Sequence, residues 1–117
     1  MSGFGAHIRT LRDVLSKDSK EFSVRKVAMR IGVEPAFLSK VEREVVPPPS
    51  EAKLIALAEV LGTDKDVLLA MAGKVSSDLL KVIKDRPVLF AELIRKLKEE
   101  PDHAVLRIVR EVKDGEW

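Results

Sequence analysis

The side chains able to do chemistry are unevenly spread along this chain. Between Lys20 and Arg43 stand six basic residues (Lys20, Arg25, Lys26, Arg30, Lys40, Arg43) against three acidic ones (Glu21, Glu34, Glu42). Their excess of three positive charges is larger than the net +2 of all 117 residues. So balanced a chain does not hold a polyanion by net charge alone, and electrostatic asymmetry is confined to this stretch. Covalent and acid–base chemistry find poorer material. Ser39 has no nearby histidine to act as its base, and Glu99-Glu100 reads as a solvated helix end rather than an acid pair. No glycine loop is built to cradle a phosphate. There is no cysteine, and His7 and His103 stand far apart as ordinary surface or half-buried residues. Disulfide and thiolate chemistry are excluded, a zinc site is not expected, and neither an enzyme nor a cofactor is implied.

The elements that must position these residues all read as helix. The length suits one domain, and 45% hydrophobic residues suffice for a core. No stretch alternates as a strand would. Phe4, Ile8, Leu11 and Leu15 form a one-sided helical stripe that ends in the polar run Ser16 to Glu21. A short helix is predicted from Val24 to Ile31, capped by Ser23 and stopped by Gly32. Pro35 suits the first position of the next, which carries Phe37, Leu38 and Val41 inward. Val46-Pro47-Pro48-Pro49 makes a stiff extended connector. Ser50 caps a fourth helix with Leu54, Leu57, Ala58 and Leu61 inward, closed by Gly62. Thr63-x-x-Asp66 resembles a capping box that opens a fifth helix through Ala72. Three more helices follow: one capped by Ser76 or Ser77, one starting at Pro87, and one after Pro101-Asp102. The start of the chain lacks a secretory pattern and no apolar run approaches the roughly 20 residues of a membrane span, so the expectation is a cytoplasmic protein with no membrane segment.

Within this order the segment Val24–Arg43 has a specific mechanical logic. Ala28 is small where a second helix must approach the first, Gly32 supplies the sharp turn, and Val33 plugs the corner. Leu38 and Val41 seat the second helix on the first. An ordinary packed hairpin would not need so many positions in register. Such a pair is a helix-turn-helix, whose second helix offers its outer face to the DNA major groove.

The pattern His7-Ile8-Arg9-x-Leu11-Arg12, Val24-x-x-Val27-Ala28, Ile31-Gly32-Val33, Phe37-Leu38-Ser39-Lys40-Val41-Glu42 and Ala58-x-x-Leu61-Gly62 resembles the Cro/repressor (Xre) family. The resemblance covers residues 3 to 73. It implies a five-helix, lambda-repressor-like DNA-binding domain over residues 1–73; with the helical extension read from the residues over 74–117, the expected architecture is all-α. It further implies a sequence-specific transcriptional regulator that binds double-stranded DNA, usually as a homodimer; repression is the expected direction, although the sequence does not encode it. Carried over by position, Ser23, Val24 and Arg25 lie beside a DNA phosphate. Glu34, Pro35, Ala36, Ser39 and Lys40 face the groove, and Arg43 lies near the backbone. Arg12 and Glu42 match a pair that braces helix 1 against helix 3; leaving either charge unpaired would cost about 3–5 kcal/mol. This chain departs from the family at Val24, Pro35 and Ala36, where amides that read adenine are common. Glu44 stands where the family prefers glycine, and the loop from Val45 to Pro49 lacks basic residues.

The tail poses a separate question. Leu79, Leu80, Ile83, Leu89, Phe90, Leu93, Ile94, Leu97, Val105, Ile108, Val109 and Val112 cover wider faces than a lone helix needs. Dimerisation through Leu89, Phe90, Leu93, Ile94, Leu97, Val105, Ile108, Val109 and Val112 is the leading expectation. The alternatives are a lid that completes the monomer core, a sensor that responds to a ligand or protein, and a surface for another protein. In the last case the chain would be an antitoxin-like or adaptor protein, and small regulators of this family partner toxins or peptidases.

Overall fold

The computed structural model describes residues 3–117. Among them every regular element is helical: α1 Phe4–Ser16, a single 3-10 turn Lys20–Phe22, α2 Val24–Ile31, α3 Pro35–Glu42, α4 Glu51–Leu61, α5 Lys65–Met71, α6 Ser77–Asp85, α7 Pro87–Leu97 and α8 Asp102–Asp114. No helix among the described residues is long and apolar enough to cross a membrane. The chain divides into two units, the first ending at Ser77 and the second spanning Asp78–Trp117.

The first unit owns the core. Ile8 of α1, Val27, Ala28 and Ile31 of α2, Leu38 and Val41 of α3, Leu54, Leu57, Ala58 and Leu61 of α4, and Leu68 and Leu69 of α5 are buried together. Burying each of the larger side chains contributes about 1.5–3 kcal/mol, so this set stabilises five short helices, each too short to persist alone. Leu11 and Leu15, expected inward, lie half-buried against the cluster. Gly5 marks the closest approach of α1: a β-carbon there would collide with the carbonyls of Val41 and Glu42 at the end of α3.

The caps decide where these helices begin. The hydroxyls of Ser23 and Ser50 accept from the amides of Lys26 (3.2 Å) and Lys53 (3.4 Å), as their positions before α2 and α4 predict. The expected box at Thr63 does not form. Asp64 is the N-cap of α5, and its carboxylate accepts from the amides of Asp66 (2.8 Å) and Val67 (3.3 Å). A carboxylate one residue nearer the helix, at its positive end, displaces the hydroxyl. The cap expected at Ser76 is also absent. Ser76 is buried with no hydrogen-bond partner for its hydroxyl, and Ser77 is already helical, its Oγ donating to Glu51 Oε2 at 2.6 Å.

The second unit differs in kind. Pro87 occupies the first turn of α7 and Pro101 the N-cap of α8, as the prolines predict. Yet none of α6, α7 and α8 contains a buried residue. Leu89 is 63% exposed and Val112 59%.

Candidate nucleic-acid interface

The site is built on the turn between α2 and α3. Gly32 takes φ +77°, a left-handed conformation open to glycine and strained for other residues. Its amide donates to Met29 O (3.2 Å), and that of Val33 to Ala28 O (2.9 Å). Val33 then lies half-buried against the core, at the corner. Glu34 is the N-cap of α3 without a side-chain cap bond, and Pro35 fills the first turn, where no amide donor is needed.

Two faces of α3 follow from the 3.6-residue period. Leu38, Val41 and Glu42 are buried. Pro35, Ala36, Lys40 and Arg43 are exposed, with Ser39 half-buried at the margin. Ala36, Lys40 and Arg43 stand at i, i+4 and i+7, on one line along the outer face. At the start of α2, Ser23 and Arg25 are exposed, and Val24 packs partly against the core.

Behind α3, Arg12 and Glu42 meet as a bidentate pair: Nε to Oε2 at 2.8 Å and Nη2 to Oε1 at 2.9 Å, each residue 8% exposed. The hydrogen bond to Glu42 raises the Arg12 pKa, against the opposing effect of burial. Arg12 Nη1 also donates to Phe22 O (3.3 Å), which accepts from Ser16 Oγ as well (2.9 Å). The 3-10 turn is thereby tied to α1, a bond pattern with no local sequence signal. Arg30 lies over the Phe22 ring, 5.5 Å from its centroid.

Two further residues of the site escape sequence reasoning or gain their explanation here. Lys53 of α4 donates from Nζ to the carbonyls of Ile31 (3.0 Å) and Gly32 (3.3 Å), more than twenty positions away. Glu44, just past α3, is the one non-glycine residue with positive φ (+59°) among the described residues. A glycine would hold this conformation without the strain that a β-carbon brings. No group of His, Asp or Glu among the described residues is arranged to hold a metal ion.

A family model described as a helix-turn-helix domain matches residues 4–71, more than half of the chain. The chain belongs to the helix-turn-helix domain family. Membership supports a DNA-binding regulator, and the matched span takes in α1 through α5. No curated protein and no solved structure matches the chain. The helix-turn-helix domain thus places its turn at Gly32 and Val33, between a capped α2 and an α3 with one buried and one open face.

Proposed function

We propose that this helix-turn-helix protein is a sequence-specific transcriptional regulator of the Cro/repressor (Xre) type, and that it inserts α3 into the DNA major groove. The observation that carries this reading is the division of α3: one face is pinned to the core through Leu38, Val41 and Glu42, while Ala36, Lys40 and Arg43 line the open one. Lys40 would donate to guanine, Ala36 would touch a thymine methyl, and Glu34 would accept from cytosine N4. Ser23, Val24 and Arg25 open α2 beside a phosphate, Ser39 and Pro35 complete the groove face, and Arg43 approaches the backbone. Occupancy of a promoter by such a protein blocks or changes access to it.

The exposed apolar residues of α7 and α8 support a homodimer. Two copies joined there would address half-sites about 34–36 Å apart, one helical turn of DNA. The same exposure supports a partner protein as the second reading, and a pull-down with residues 78–117 against sedimentation of the full chain separates the two.

Selection from a random duplex library, followed by mutant binding, tests the DNA reading. Lys40→Ala should relax specificity at the base it reads, whereas Arg25→Ala should weaken all duplexes about equally. A dimer with a few phosphate contacts per subunit should show a slope of about −4 to −8 in log K against log[salt]. Salt-insensitive binding, or no duplex selected, would overturn the reading.

A further inference from the structure

We propose that Lys53 is a positioning residue for DNA reading, a cationic clamp on the α2–α3 turn that fixes the angle at which α3 is presented. This rests on the reading of α3 as the groove-entering helix.

Three observations converge on one point. Lys53 Nζ donates to the carbonyls of Ile31 and Gly32, at the end of α2 and in the turn itself. Helix ends leave carbonyls without intrahelical partners and carry partial negative charge, so an ammonium there satisfies both at once. A β-carbon built at Gly32 would lie 2.9 Å from the same Nζ, which places the ammonium directly over the turn, while the φ of +77° is what calls for glycine there. Finally, the Lys53 amide donates to the Ser50 hydroxyl in the α4 cap, which anchors the backbone from which the side chain reaches.

The consequence is geometric. Gly32 and Val33 join the two helices; their amides are held by Met29 and Ala28, and Lys53 Nζ holds the carbonyls of Ile31 and Gly32. With its ammonium engaged on two protein carbonyls, Lys53 acts through the turn rather than on a phosphate. A tilt of α3 changes base-edge hydrogen bonds, which need accurate placement, more than it changes contacts to the phosphate backbone.

The test compares the full chain with Lys53→Met and Lys53→Arg. Amide exchange at Val33 is followed first, without DNA. The clamp predicts at least tenfold faster exchange at Val33 in Lys53→Met, with partial recovery in Lys53→Arg. Binding to the selected duplex and to a scrambled one follows, at a temperature well below both unfolding midpoints. The clamp predicts that Lys53→Met lowers the ratio of specific to non-specific affinity about tenfold while the salt slope stays unchanged. A slope made shallower by about 0.9 per subunit, with both duplexes weakened equally, would show a phosphate contact and overturn the proposal. Unchanged exchange would overturn it too, as would an unchanged affinity ratio. Should Lys53→Met fail to fold, Lys53→Gln, which keeps a shorter donor, is compared by the same exchange and ratio measurements. If the wild-type chain selects no duplex, the DNA reading fails, while the exchange at Val33 still decides whether the turn is clamped.

Discussion

Arg12 and Glu42, thirty positions apart, share two parallel hydrogen bonds of 2.8 and 2.9 Å beneath α3. The planar guanidinium and the carboxylate match edge to edge, the geometry that makes such a pair worth burying. Removing one partner strands the other. Glu42→Ala should therefore destabilise the chain by about 3–5 kcal/mol, read as a lower urea midpoint. A change under about 1 kcal/mol would mean the pair behaves as an exposed one.

Glu44→Gly should act in the opposite direction. The left-handed conformation at φ +59° costs a residue with a β-carbon about 1–2 kcal/mol, and glycine pays part of this back in unfolded-state entropy. The expected net gain is about 0.5–1 kcal/mol, measured by thermal unfolding. The opposing term is the Glu44 side chain, which lies against Gly3 and Gly5 at the start of α1. A loss of stability would show that this contact outweighs the strain.

Ser76 buries a hydroxyl that meets no acceptor or donor. An unsatisfied buried polar group costs about 1–3 kcal/mol, so Ser76→Ala should leave stability unchanged or raise it by about 1 kcal/mol. Denaturant titration of the two proteins checks this. A clear loss would reveal a bond made by the hydroxyl in solution.

Ending the chain after Ser77 should leave a folded, monomeric unit. Every buried residue belongs to the segment retained, and Ser77 keeps its bonds to Glu51. Sedimentation should give one copy, and a cooperative thermal transition should persist. A truncated chain that no longer folds would mean the core depends on residues 78–117.

Much of the site was legible because its boundaries are punctuated by residues with single physical uses. Ser23, Gly32 and Pro35 bracket α2 and α3 at the positions predicted, and the all-α reading holds for every described element. Punctuation failed where two candidates stood side by side. Thr63 and Asp64 both suit an N-cap, and the carboxylate took the role. It failed again at Ser76 and Ser77, where a preference for hydroxyls does not say which one enters the helix. The 3-10 turn at Lys20–Phe22 is capped locally by the Ser19 hydroxyl, but its tie to α1 comes from bonds of Arg12 and Ser16 to the Phe22 carbonyl, which side-chain type does not encode. The buried pair Leu68 and Leu69 is not legible as a face because α5, at seven residues, is too short for its period to show one. In the tail the apolar faces were readable from spacing, but spacing carries nothing about what covers them.

The depth of the Arg12–Glu42 pair separates two responses to ionic strength. Mobile ions screen exposed charges beyond about 10 Å at 0.1 M salt, and they reach a buried pair far less. Lys40, Arg25 and Arg43 are open to that atmosphere, whereas the charges that hold α3 in place are shielded by the protein around them. Raising the salt should thus strip this chain from a polyanion while the circular dichroism of its helices stays constant. The release is reversible, because the surface that rebinds on dilution has never come apart.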